Sequence, residues 1–98
     1  MPAYATLVKF TTEGLRSIDD IGKAFEEGMK MAEQMGIKLI GAYATLGPND
    51  MMLLYEAPDE KVAAGMAMTF ATKWGGQSET WTLIPMEEFA KLAARLKS

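Results

Sequence analysis

The feature that most constrains the fold is the order in which strand-like and helix-like hydrophobic patterns alternate along the chain. Four segments have the apolar, β-branched and aromatic pattern of strands, and three longer ones repeat apolar residues at helical spacing. Strands are predicted over Ala3–Phe10, Ile37–Leu46, Met51–Glu56 and Gln77–Ile84, and helices over Ser17–Met35, Glu60–Trp74 and Met86–Leu96. This β-α-β-β-α-β-α order predicts an α+β, ferredoxin-like sandwich with a four-stranded antiparallel sheet and one extra C-terminal helix.

Turn and cap residues separate these segments. Gly47-Pro48-Asn49-Asp50 has turn chemistry and predicts a hairpin between the second and third strands. Ser17 followed by Asp20 resembles a capping box at the start of the first helix. The segment Thr11-Thr12-Glu13-Gly14 interrupts the first strand pattern, and a turn or a single helical turn is expected there.

The chain length sets the number of domains. With 98 residues, of which 49% are hydrophobic and 23% charged, the composition is that of one globular domain over residues 1–98.

Both faces of the predicted strands carry large apolar or aromatic residues. Because helices cover one face of a sandwich of this kind, the other face should be polar if it met water. We therefore expect a second copy of the chain on that face, giving a sheet-to-sheet homodimer that could enclose a cavity. A higher oligomer built from such dimers is an alternative that the sequence also allows.

Composition excludes several kinds of chemistry. The sequence contains no cysteine and no histidine, which removes disulfides, thiolate nucleophiles and the commonest metal ligand and general base. We therefore predict neither a metal nor a cofactor. A net charge of −3 argues against nucleic acid as a partner. No stretch is apolar enough to span a membrane and no signal-peptide pattern precedes the first strand, so we expect a cytoplasmic protein.

Several short motifs point to a known family. They are Lys9-Phe10-Thr11, Glu13-Gly14, Tyr43-Ala44-Thr45-Leu46-Gly47, Asp50 and Glu56-Ala57-Pro58-Asp59. Over Pro2 to Leu96 the chain resembles the GYD domain family, named for a Gly-Tyr-Asp signature. Gly47 and Asp50 match that signature, whereas Asn49 stands at the tyrosine position. The resemblance implies a ferredoxin-like fold related to the dimeric α/β barrels, and no established activity.

Eight residues are candidates for binding a small organic ligand, although none can be assigned a catalytic role. They are Tyr4, Thr6, Tyr43, Thr45, Asn49, Asp50, Glu79 and Trp81. Six of them have the same parity within their strands, so they would line one cavity if they shared a sheet face. The other two belong to the hairpin, where Asp50 could act as a base and Asn49 as a donor. Each of these residues also has a purely structural interpretation, as turn chemistry or as interface filling.

Three functional hypotheses follow. The first is a homodimeric small-molecule-binding or interaction module without catalysis. The second is a cofactor-independent enzyme, resembling a monooxygenase, isomerase or tautomerase, that uses Asp50, Glu79 or the amine of Pro2 on a small organic substrate. The third is a purely structural subunit of an oligomer.

Overall fold

The computed structural model describes residues 1–96, apart from the side chain of Trp74. Along the chain the elements are β1 (Ala3–Phe10), α1 (Thr12–Arg16), a 3-10 turn (Ile18–Asp20), α2 (Ile21–Gln34), β2 (Lys38–Ala44), β3 (Met51–Glu56), α3 (Glu60–Trp74), β4 (Gly76–Leu83) and α4 (Met86–Leu96). The sheet has the strand order β2-β3-β1-β4, and its neighbouring strands are antiparallel. The predicted α+β class and four-stranded antiparallel sheet are confirmed, and the strand order is compatible with a ferredoxin-like sandwich.

Most element bounds agree with the sequence prediction, and one helix does not. β1, β3, α3 and α4 have the predicted bounds, whereas β2 is shorter than predicted at both ends and β4 begins and ends slightly earlier. The helix predicted over Ser17–Met35 is divided, because a 3-10 turn comes before α2. The segment after β1 forms the single helical turn that was one of the two expectations for it.

The predicted capping box at Ser17 is wrong. Ser17 has φ −107° and ψ 22° and makes no side-chain cap bond, and Asp20 makes none either. The residue at the N-cap of α2 is Asp20, which makes no side-chain cap bond, and the side-chain cap of this region belongs to α1 instead. Thr11 caps α1 with an extended backbone and accepts a hydrogen bond from the Gly14 amide at 3.1 Å. Sequence reasoning missed this cap because α1 is too short to show a hydrophobic period.

The core lies between the sheet and the helices α2 and α3. Its buried residues are Tyr4, Ala32, Ile37, Leu53, Tyr55, Ala57, Ala63 and Met66. The rings of Tyr4 and Tyr55 stack with centroids 5.8 Å apart. These contacts identify Tyr4, Leu53 and Tyr55 as members of the sheet face that the helices cover, which we call the inner face.

Hydrogen bonds connect the end of β1 to the end of α3. The Thr11 amide donates to the Gly75 carbonyl at 3.0 Å, and the Thr11 hydroxyl donates a short hydrogen bond to the same oxygen. Gly75 ends α3 with φ +64°, a left-handed conformation that favours glycine. This junction holds α1 beside the C-terminal end of α3.

Candidate functional site

The sheet surface turned away from α2 and α3, which we call the outer face, is largely apolar. Its members follow from strand alternation and pairing: Ala3, Ala5, Leu7, Lys9, Lys38, Gly41, Tyr43, Met52, Leu54, Glu56, Gln77, Glu79, Trp81 and Leu83. In the described residues, no helix packs across this face. Ala5, Leu7, Met52 and Leu54 form its centre, and charged residues of both signs lie toward its two ends.

Two aromatic side chains stand at the edges of the outer face. Trp81 on β4 is 48% exposed, and Tyr43 on β2 is 53% exposed. The Trp81 indole N–H donates to the Glu79 carboxylate at 2.9 Å. A Cβ added to Gly41 would lie 2.7 Å from the Tyr43 hydroxyl oxygen, so the absence of a side chain at Gly41 lets the ring lie across the strand. Exposed Trp and Tyr are typical of binding surfaces, because each combines a large apolar area with a polar group.

The six strand residues expected to share a cavity do not share a sheet face. Tyr4 and Thr6 are buried on the inner face, whereas Tyr43, Glu79 and Trp81 belong to the outer face. Thr45 lies beyond β2, where its hydroxyl donates to the Asn49 carbonyl at 2.7 Å. Parity within a strand cannot predict which face the helices cover, since both faces of these strands are apolar.

Thr6 takes part in a hydrogen-bond network across three strands, which is buried at Tyr55 and reaches the exposed Thr80 on β4. Its hydroxyl oxygen lies 2.8 Å from the Tyr55 hydroxyl and 2.9 Å from the Thr80 hydroxyl. Burial raises the pKa of Tyr55, and its hydrogen bonds with Thr6 and Thr80 offset part of this rise. Sequence reasoning missed Tyr55, although it follows Leu53 at strand spacing. The Tyr55 hydroxyl is fully buried and hydrogen-bonded inside the core, so this hydrogen-bond network has a structural role.

Asp50 fixes the β2–β3 hairpin to the end of β1. Its carboxylate accepts a hydrogen bond from the Phe10 amide at 2.8 Å, and its own amide donates to the Val8 carbonyl at 2.8 Å. Its carbonyl accepts from the Thr45 amide at 3.0 Å. The carboxylate proposed as a base is therefore already engaged by the backbone. Asn49 lies beside it and, with Lys9, Gln77, Ser78 and Glu79, lines a shallow depression of about 160 Å³.

A larger cleft of about 650 Å³ opens on the inner side, at the end of the sheet where β1 stops. Its lining is Val8, Phe10, Glu13, Gly14, Ser17, Ile18, Asp20, Ile21, Lys23, Ala24, Phe25, Glu27, Met51, Phe70, Thr72, Lys73, Gly75 and Gly76. None of the eight candidate residues is among them. The cleft was not anticipated, but the apolar stripe of Ile18, Ile21 and Phe25, together with the small residues at Gly75 and Gly76, could have indicated it.

The described residues provide little for metal chemistry. Among residues 1–96 there is no group of three or more Asp or Glu side chains, the only such donors in a chain without His or Cys, placed to hold a metal ion. In that same part of the chain, no helix is both long and apolar enough to cross a membrane. Pro2 is exposed, and its carbonyl accepts from the Ala57 amide at 3.1 Å.

Comparison with known proteins gives two matches. A curated protein of Thermus thermophilus, named glutamine synthetase and cystathionine beta-lyase binding protein, is 28% identical over 98 residues, covering 99% of this chain and 100% of that protein. No solved structure matches. The family model described as the GYD domain matches residues 4–93, which include nearly all of the sheet, α2, α3 and most of α4. The chain belongs to the GYD domain family.

Proposed function

We propose that this chain is an interaction module that pairs with a second copy of itself through the outer face and, as a dimer, binds a metabolic enzyme. The uncovered outer face carries the proposal, because it places Trp81 and Tyr43 on either side of an apolar centre. Two ferredoxin-like sheets facing each other in this way would make an assembly of the dimeric α/β-barrel type.

The outer face is close in size to what a dimer interface needs. Its strands lie about 4.8 Å apart and have six to eight residues that each rise about 3.3 Å, so the face spans roughly 460 Å². Two such faces would bury roughly 900 Å², just under the lower limit of about 1,000 Å² for a specific interface. The contact is therefore expected to be stable only if its apolar centre packs closely.

The charge distribution favours a second copy as the occupant. Lys38 and Glu56 are paired at one end of the outer face, while Lys9 and Glu79 lie toward the other end, on β1 and β4. Each end thus carries one positive and one negative side chain, so two copies related by a two-fold axis can match opposite charges. An apolar centre with a polar rim is the usual anatomy of such interfaces.

The proposal of an enzyme partner rests on the name of the Thermus thermophilus relative. Its name states that it binds glutamine synthetase and cystathionine beta-lyase, and its match covers 99% of this chain. We propose that this chain binds one of the same two enzymes. A partner of this kind would place the chain in the cytoplasm.

The outer face is tested by two neighbouring substitutions on β4. Trp81→Glu puts a charge in the proposed interface, whereas Thr82→Glu puts the same charge on the next residue, which is exposed on the opposite side of the sheet. Sedimentation should show the same assembly of at least two copies for the wild type and for T82E, and an assembly of fewer copies for W81E, all with native circular dichroism. A wild-type monomer, or an assembly that W81E leaves unchanged, would refute the sheet-to-sheet pairing.

The enzyme partner is tested by biolayer interferometry with glutamine synthetase and cystathionine beta-lyase from the same organism, each immobilised in turn. Saturable binding to at least one of them is expected. If neither enzyme binds while the chain is dimeric, the proposed enzyme interaction is refuted and the hypothesis of a purely structural subunit is left.

The inner cleft favours a second candidate function, the binding of a small organic ligand. Its volume of about 650 Å³ lies within the usual range for ligand pockets. Phe10, Phe25 and Phe70 line it together with charged residues that include Lys23 and Lys73, which suits a flat molecule with an aromatic part and a charged group. Asp50 does not line it and Glu79 lines only the shallow depression, so the enzyme hypothesis has no candidate base from the sequence in this cleft.

The cleft is tested with the fluorescent probe 1-anilinonaphthalene-8-sulfonate. Ala24→Phe fills the cleft, while Ala64→Phe adds the same bulk to an exposed position on α3 outside it. We expect A24F alone to lower probe binding. Equal binding by the wild type and both variants would eliminate the cleft as a ligand site.

A further inference from the structure

The C-terminal helix α4 carries an apolar stripe that nothing in the described chain covers. Met86, Phe89, Leu92 and Leu96 recur at helical spacing, and they are 76%, 44%, 50% and 75% exposed, respectively. No residue of α4 is buried. An amphipathic helix of this kind normally packs its apolar stripe against a partner.

The shape of the molecule agrees with a helix that projects. The radius of gyration is 15.2 Å and the principal extents are 55 × 30 × 18 Å, whereas a compact chain of this length would have a radius near about 13 Å. An isolated helix of 11 residues is only marginally stable in water. α4 therefore needs a packing partner beyond the described residues.

The charges of α4 indicate what that partner is. Glu87 and Glu88 lie in its first turn and Arg95 in its last, with Lys91 between them. When two copies of this helix lie antiparallel, the acidic end of each faces the basic end of the other, and their dipoles are opposed favourably. We propose that α4 pairs antiparallel with α4 of a second copy of the chain, with Phe89 and Leu92 at the centre of the contact.

This pairing is separate from the outer face and from any enzyme partner. A chain with two self-complementary surfaces can build tetramers or larger closed assemblies, with one surface forming dimers and the other joining them. The outer-face contact and the α4 contact can be disrupted separately, since α4 can be altered without changing any residue of the sheet.

Cysteine cross-linking tests the orientation, and the absence of native cysteine makes the readout unambiguous. Leu92→Cys lies near the middle of the helix, so two antiparallel copies bring these residues within disulfide range. Met86→Cys would be about 15 Å from its counterpart, because five residues separate it from the middle of the helix. We expect L92C to cross-link with itself, and M86C to cross-link only when mixed with Leu96→Cys. Self-linking of M86C, or no linking by L92C, would overturn the proposal.

Charge exchange tests the partner. The variants E87K/E88K and K91E/R95E each place like charges along both helices of a pair, so the yield of cross-linked L92C should fall at least about tenfold in either background. Mixing the two backgrounds should restore the yield. Unchanged yields in the separate backgrounds, or no recovery on mixing, would refute a contact between α4 helices. Neither assay contains an enzyme or an altered outer face, so a failure of the proposed function leaves both readouts intact.

Discussion

Replacing Asp50 with alanine separates a structural role from a binding role at the β2–β3 hairpin. The change removes the carboxylate that accepts the Phe10 amide at 2.8 Å and leaves that amide without its protein acceptor. A hydrogen bond to a charged group contributes about 1.5–3 kcal/mol, and the carboxylate is only half-buried, so water replaces part of the loss. We expect Asp50→Ala to lower the free energy of unfolding by about 1–2 kcal/mol.

The matched variant is Asp50→Asn, which keeps an acceptor oxygen of the same geometry and loses only the charge. It should lose less than about 1 kcal/mol, because a neutral hydrogen bond remains. Asp19→Ala, at an exposed position in the 3-10 turn, should change stability by less than about 0.5 kcal/mol.

Urea unfolding followed by circular dichroism measures all three variants. For a domain of this size, each kcal/mol corresponds to about 4–8 °C in Tm. If D50A is as stable as the wild type, then the hairpin is not held by this carboxylate and the structural account of Asp50 is wrong. If D50A loses stability but retains enzyme binding, a direct role of Asp50 in binding is excluded.

Three further predictions concern the core, a junction and the outer face. Because burial raises the pKa of Tyr55 above its ordinary value near 10, the unfolded chain loses this proton first, so stability is retained below about pH 9 and falls at higher pH. Tyr55→Phe should reduce that fall in alkaline urea titrations, and an unchanged pH profile would contradict the assignment. Gly75→Ala should lower the free energy of unfolding, measured by thermal unfolding, by about 1–2 kcal/mol, because φ is +64° and the new Cβ would lie 3.0 Å from the Thr11 hydroxyl oxygen. Unchanged stability would argue against the junction between Thr11 and Gly75. Gly41→Ala should move the Tyr43 ring with little loss of stability, which NMR shifts of that ring would report, and unmoved resonances would show that Gly41 does not position it.

The arrangement of strands and helices could be predicted because it depends on local patterns. β1, β3, α3 and α4 each have an uninterrupted hydrophobic period between strong turn or cap residues, such as Asp59 before α3, whose carboxylate accepts from the Val62 amide at 3.0 Å. The start of α2 could not be predicted in the same way. Ser17 has the residue type of a cap, but the backbone conformation at that point depends on how α1 packs.

The candidate site could be predicted only in part. The apolar outer face followed from strands that are apolar on both sides, and Tyr43, Glu79 and Trp81 do lie on it. Tyr4 and Thr6 were grouped with them because parity alone does not identify the face that the helices cover. The apolar stripe of Ile18, Ile21 and Phe25 could have indicated one wall of the inner cleft, but the opening itself depends on how α2 and α3 pack on the sheet, which no local pattern encodes.

Native mass spectrometry of the wild-type chain, alone and mixed with glutamine synthetase or cystathionine beta-lyase, tests the central claim most directly. The account predicts a dimer or a multiple of dimers for the chain alone, and a further species whose mass is the sum of that assembly and one of the enzymes. A monomer that forms no complex with either enzyme would contradict both the self-pairing through the outer face and the role as an interaction module.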